Sequence, residues 1–209
     1  MSLTLVQFAR RAALALTLTV GASLTAHAAT PAEALVSDNI QKGLQILNDG
    51  HLSSSDRATH FETFLLGVTD LKRVSNFVLG TYGAKASQSD RDAFADSFQR
   101  YAVAVYQSYL RKYAGQKLTV TGSQQNAPGD DIVTTSLLDP DRSGRPLEIA
   151  FRVRSDGASP KIVDLSVAGI WVALEERDQF TAFLGENGGS IAGLIAHLDT
   201  LRAKLSTAG

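Results

Sequence analysis

Beyond the N-terminal segment, the side chains best suited to acid–base or metal chemistry are His51, His60 and His197 and a scatter of carboxylates; the chain has no cysteine. Their spacing builds no reaction centre. His60 and Glu62 lie two apart in a helical pattern, so they point to different faces. Asp130 and Asp131 are neighbours at a strand start and point to opposite sides, which makes a charged strand entrance rather than an acid–base pair. The stretch DPDRSG, Asp139 to Gly144, places Asp139, Asp141 and Ser143 at the first, third and fifth positions of a calcium loop and Gly144 at the sixth. Its twelfth position is Ala150, where a carboxylate is needed, and its flanks read as strands, so a hairpin turn describes it better. The sequence contains no nucleophile elbow, phosphate-binding loop, dinucleotide fingerprint or zinc-protease helix motif. Without cysteine, disulfides, thiol catalysis and thiolate metal sites are excluded. An enzyme built on this chain would need a site scattered beyond what spacing reveals.

The concentrated feature is aromatic. YAVAVYQSYLRKY, Tyr101 to Tyr113, holds four of the five tyrosines, and the fifth is Tyr82. At about 100° per residue, Phe94, Phe98, Tyr101, Val105 and Tyr109 fall within about 80° of one another. Asp92, Asp96 and Gln99 lie opposite. Two readings follow: tyrosines packing on a sheet with their hydroxyls at polar edges, or the wall of a pocket that is apolar inside and wet at its mouth.

The elements around this segment are legible. Thr30, Pro31 and Glu33 form a helix start, with Leu35, Val36, Ile40, Leu44 and Leu47 at helical spacing up to Gly50. Residues 53–80 read as two shorter helices broken near Gly67 to Asp70 and stopped at Gly80. Ser87 and Asp90 open the aromatic helix and Gly115 closes it. The period then changes to two: Lys117–Gly122, Asp131–Leu138, Pro146–Ser155 and Lys161–Leu174 read as four strands joined by turn-rich links, an antiparallel meander. Leu147, Ile149, Phe151 and Val153 share one side; Glu148, Arg152 and Arg154 share the other. Two helices end the chain. The expected fold is α+β, with an antiparallel four-stranded sheet and about six helices.

At the N-terminus, Arg10 and Arg11 precede the uncharged run AALALTLTVGASL, and AHA fits a small-x-small cleavage site. Residues 1–28 therefore read as a signal peptide cut before Ala29, and 29–209 as one domain. The run is too short for a secure membrane span. The residues after the arginine pair favour the general secretory route over twin-arginine export. A formal charge of −1, without a basic stripe, makes nucleic acid a poor partner.

Four stretches in order, FETFLLGVTDLKRVSNFVLGTYG, FADSFQRYAVAVYQSYLRKYAG, IVDLSVAGIWVALEERDQFTAFL and GSIAGLIAHL, resemble the MlaC-type periplasmic phospholipid-binding proteins, the toluene-tolerance family. Each is mostly hydrophobic spacing; their order, the strand block and the signal peptide make the combination specific. The resemblance implies a non-enzymatic periplasmic carrier whose curved sheet and helices enclose phospholipid tails. It also implies shuttling between an outer-membrane lipoprotein complex and an inner-membrane ABC-type lipid permease with its substrate-binding ring, which maintains outer-membrane lipid asymmetry. No cofactor is implied; the lipid is cargo. Some relatives sit with hopanoid biosynthesis genes, which widens the cargo class. One departure is Trp171, where the family often has a small polar residue.

On this reading the lining would come from strand positions Val133, Leu137, Leu147, Ile149, Phe151, Val153, Val163, Leu165 and Val167 and helix positions Phe98, Tyr101, Val105 and Tyr109. Phe64, Phe77 and Val78 would close another side. Each has a plain alternative as a dry core contact. Arg152 and Arg154 would meet a headgroup phosphate only if their side of the sheet turned to the mouth. A non-catalytic periplasmic adaptor with a filled core is the reading from another class.

Overall fold

The structure, a computed structural model, describes residues 28–110, 113–140 and 145–207. Residues 1–27 of the proposed signal peptide, Asp141 to Gly144 of the DPDRSG turn, and Arg111 and Lys112 of the aromatic segment lie outside the described residues.

The chain opens with α1 (Pro31–Asn48). Its start is the capping box expected from Thr30 and Glu33: the Glu33 amide donates to Thr30 Oγ1 at 3.2 Å, and the Thr30 amide donates to Glu33 Oε2 at 2.9 Å. Two orphan helix donors are thereby satisfied reciprocally. Helices α2 (Ser54–Val68) and α3 (Leu71–Val78) follow, separated where the sequence predicts. Gly80 does not end the helical run as predicted. It takes φ +53° and redirects the chain into a short α4 (Gly80–Lys85); a Cβ there would sit 2.9 Å from Thr181 Cγ2. The long α5 (Gln88–Leu110) begins on Ser87, whose Oγ accepts from the Asp90 amide at 3.1 Å.

The sheet has order β1-β2-β3-β4-β5, wholly antiparallel: β1 (Lys117–Ala127), β2 (Asp130–Leu138), β3 (Leu147–Arg154), β4 (Lys161–Val167) and β5 (Ile170–Trp171). The predicted fourth strand is thus corrected to two. Ala168 (φ 51°) and Gly169 (φ 83°) fold the chain into a tight hairpin, so Ile170 pairs with Val167 and Trp171 with Ser166. An unbroken apolar run gave no period to mark that reversal. From Trp171 the chain enters α6 (Val172–Glu186) and then α7 (Ile191–Thr207), which brings the described helices to seven. Trp171 makes no side-chain cap to α6. Asp164 of β4 reaches across instead and accepts from the Ala173 amide at 2.9 Å.

Among the described residues, two separate hydrophobic cores form. The first is helical: Val78, Leu79, Phe94, Phe98, Ala173, Phe180, Leu184, Ile191, Leu194 and Leu198, from α3, α5, α6 and α7 and the short links beside them. Phe94 and Phe98 both make T-shaped contacts with Phe180, with ring centroids 6.1 and 6.3 Å away. The second lies between α1 and the sheet: Ala32, Val36, Val133 and Val153, flanked by Leu35, Ile40, Val120, Phe151 and Ile162. Register places Val133, Phe151 and Leu165 side by side, so the face predicted from alternation is the face α1 covers.

Polar ties join the two bodies. Thr69 makes a parallel bridge to Ile162, the Asp70 amide donates to Ile162 O at 3.1 Å, and Lys161 Nζ donates to Gly67 O. Arg73 of α3 grips Asp156 of the β3–β4 turn with two hydrogen bonds of 2.7 and 2.8 Å. Asp156 also pairs with Arg154.

At the same sheet end Asp130, 2% exposed, receives Arg152 at 2.8 and 2.6 Å and Asn126 at 3.0 Å. The hydrogen bond from Arg152 is the main cause that holds the Asp130 carboxyl well below the usual carboxylate range, against the opposing effect of burial. Its folded value is depressed. The stability it contributes is therefore full above the ordinary aspartate value of about 4 and is lost as pH falls from there toward the folded value. Arg152 is partly open to water, which moderates the pair. Asp130→Asn should cost about 2 kcal/mol at neutral pH and flatten the acid limb of the stability–pH curve, measured by urea unfolding between neutrality and acid. An unchanged acid limb would show that the pair does not contribute to stability.

Candidate lipid-binding site

The aromatic face of α5 changes character along its length. Phe94 is fully buried and Phe98 is 5% exposed; Tyr101 and Val105 are half-buried; Tyr109 is 67% exposed. The predicted stripe therefore runs from the dry helical core out to water. Helix α5 packs chiefly against α7 and α3, with α2 beside it, while the sheet is packed by α1, α6 and α3. Tyr106, in the second half of α5, lies near Asp164 of β4, at a boundary between the helical core and the α1–sheet core. Beyond the end of α5, Asn48 Nδ2 of α1 donates to the Tyr113 hydroxyl at 3.2 Å.

The predicted residues divide into groups. Val78 and Phe98 belong to the helical core, and Tyr101 packs against it. Val133 and Val153 belong to the α1–sheet core, with Phe151 against it. Val105, Leu137, Leu147, Ile149, Val163 and Leu165 are half-buried and are members of neither core. Val167 and Tyr109 are exposed at the rim. Phe77 is exposed on α3, with the Arg177 guanidinium 5.1 Å over its ring. Phe64 lies apart, beside Phe61 and against Gly43 of α1.

Two open clefts lie between helices. One, of about 680 Å³, lies between α1 and α2 and is lined by Ile46, His60, Phe64 and Val68, with Asn39 and Lys42. The other, of about 450 Å³, lies between α2, α5 and α7, on the side of α5 carrying Gln99, Arg100 and Val103. Of the predicted residues only Phe64 lines either cleft.

Sequence reasoning missed the polar groups at the boundary. The Tyr101 hydroxyl donates to Glu176 Oε1 at 3.2 Å, while Glu176 Oε2 is buried without a protein partner. Burial pushes the Glu176 carboxyl up, against the pull of Tyr101. Burial likewise raises Asp164, opposed by the amides of Ala173 and Leu165. Burial, then the charge and hydrogen bond of Glu176, raise the Tyr101 phenol beyond the usual tyrosine range. Tyr106 is pushed up to about 12, first by burial and next by the Asp164 charge. Asp164, Glu176 and the two tyrosines come from three separate elements, and no spacing in the sequence links them. Arg152 and Arg154 are held by Asp130 and Asp156. Among the described residues, no group of three or more histidines or carboxylates is arranged to hold a metal ion.

The MlaC protein family matches residues 37–200, most of the chain. The chain belongs to the MlaC family. Its fold is similar to a solved structure of a phospholipid-binding protein from Ralstonia solanacearum, in complex with a phospholipid, at TM-score 0.73 and 21% identity. That match covers 85% of this chain and 99% of the other. The MlaC-family match runs from within α1 to within α7, so the buried helical core and the sheet side of the second core fall inside it, while Ala32 and Val36 precede it.

The tyrosine placement is directly testable. The raised Tyr106 value means that stability tied to its neutral phenol is fully present below the ordinary tyrosine value of about 10 and is lost as pH rises through about 12. An ultraviolet titration of phenolate absorbance should show a step near 12 that Tyr106→Phe removes. Should the step removed by that substitution lie near the ordinary value, Tyr106 is in water and the boundary has been misplaced.

Proposed function

We propose that this MlaC-family chain is a periplasmic lipid carrier that takes the acyl chains of a phospholipid between the second half of α5 and the sheet. The observation that supports it best is the boundary itself: Val105, Leu137, Leu147, Ile149, Val163 and Leu165 are apolar, half-buried and outside both cores. Cargo placed there parts only these residues and leaves each core packed. The phospholipid bound by the Ralstonia solanacearum protein supports the same cargo class.

Energetics require enclosure. Each CH₂ moved into water costs about 0.8 kcal/mol, so a sixteen-carbon tail carries on the order of 12 kcal/mol. A carrier that crosses an aqueous compartment must cover most of that length. It needs no chemistry to do so, and binding and release follow from which side offers the better apolar environment. On this reading the chain exchanges lipid with an outer-membrane lipoprotein complex and with an inner-membrane ABC-type permease through its substrate-binding ring, and so maintains outer-membrane lipid asymmetry. The proposed lining keeps the strand and helix positions anticipated from the sequence, with the fully buried Val78, Phe98, Val133 and Val153 serving as backing.

The test is native mass spectrometry of the protein purified without detergent, with solvent extraction of the same sample to identify phospholipid or hopanoid. A stoichiometric lipid adduct is expected. Val105→Glu is the discriminating variant, because Val105 lies outside both cores and a charge there meets hydrocarbon only when cargo is bound. It should lower bound lipid roughly tenfold or more while the circular dichroism spectrum stays unchanged. A folded Val105→Glu protein with full lipid load places the tails elsewhere; an empty wild-type protein that also fails to load from vesicles defeats the carrier reading.

A further inference from the structure

The stretch VAGIWVAL, Val167 to Leu174, contains no charged residue. A run of that kind belongs inside a protein, yet Val167, Ile170, Val172 and Leu174 are all exposed, Ile170 by 62% and Leu174 by 48%. The hairpin turn is built to present them. Ala168 adopts the left-handed φ that non-glycine residues rarely take, and its amide is tied to Glu148 O at 3.0 Å, which fixes the tip to the sheet. Leu138, also exposed, closes β2 at the same sheet end, because Leu137 pairs with Leu147 and Ile149 with Val167. The half-buried boundary residues Ile149 and Leu147 lie directly behind this rim.

Size and charge decide what covers it. A standard protein–protein interface takes about 20–30 residues a side, so this handful of side chains is too small to hold a second copy of the chain. The acids beside the tip, Glu175 next in sequence and Glu148 across the sheet, give no attraction to an anionic surface. Shallow burial in hydrocarbon under neutral headgroups satisfies both constraints, and Trp171 sits within the tip as tryptophan does at membrane interfaces.

We propose that the β4–β5 hairpin and the first turn of α6 form a shallow lipid-docking tip, which seats Ile170 and Leu174 in the hydrocarbon of a neutral bilayer beside the mouth of the carrier. The proposal rests on the lipid-carrier reading and specifies how that carrier meets its source.

Trp171 is the only tryptophan, so intrinsic fluorescence reports this tip alone. The probe is a phosphatidylcholine vesicle with and without brominated acyl chains, mixed with the chain from Ala29 onward, which contains every described element. Docking predicts a blue shift, quenching by the brominated vesicles, little salt dependence, and co-sedimentation. Ile170→Asp and Leu174→Asp, both at exposed sites, should each weaken partitioning roughly tenfold or more without changing the thermal midpoint. Three results overturn the proposal while leaving the carrier reading intact if extraction still finds bound lipid: no quenching, quenching that persists after the vesicles are spun out, or a concentration-dependent blue shift without vesicles. These mean respectively no docking, lipid held inside near Trp171, and a second copy covering the tip. No quenching together with no lipid uptake from the same vesicles overturns both.

Discussion

The two hydrophobic cores are kept apart, and the rest of the structure follows from that separation. Close packing inside each gives a rigid body: aromatic rings and leucines of four helices in one, α1 against the twisted sheet in the other. Neither extends across the boundary, where apolar side chains are only half covered. The division leaves a seam of half-covered apolar side chains outside both cores.

What holds the bodies together is polar and localised. Thr69, Asp70 and Lys161 tie the α2–α3 joint to the β4 edge, Arg73 clamps the β3–β4 turn, and Asp164 anchors the start of α6. Directional bonds of this kind set relative position without enlarging either core. The arginines of β3 are consumed in the same scheme. Arg152 and Arg154 answer the buried Asp130, and Arg154 also answers Asp156, so the strand face that looked like free surface charge in the sequence is structural. Removing Asp130 would take the carboxylate from Arg152 while Arg154 keeps Asp156.

The crowding of tyrosines into α5 has a physical answer in this arrangement. The helix begins in a dry core and ends at water, and tyrosine suits the transition because its ring is apolar and its hydroxyl is not. Tyr101 spends its hydroxyl on Glu176, Tyr106 is half-buried near Asp164, and Tyr109 reaches solvent. Phenylalanine occupies the positions where no hydroxyl could be satisfied, at Phe94 and Phe98. The first turns of the stripe are helical core, and Tyr101 packs against that core rather than on the sheet.

Local chemistry made most elements legible from sequence. The capping box at Thr30, the Ser87 cap, the break before α3 and the alternation of β3 depend on neighbours a few residues away, and they stand where expected. The hairpin at Ala168 was hidden because a uniformly apolar run has no period, and the turn at Gly80 because positive φ leaves only a glycine as its mark. Which apolar residues are dry core and which border the seam was decided by tertiary structure alone. Val153 and Ile149 share a strand, a face and a residue class, yet only the first lies under α1. The clustering of Tyr101, Tyr106, Asp164 and Glu176 is likewise a product of three elements meeting. Periodicity reports which side of an element turns from water; what stands opposite that side is fixed only when distant parts of the chain pack.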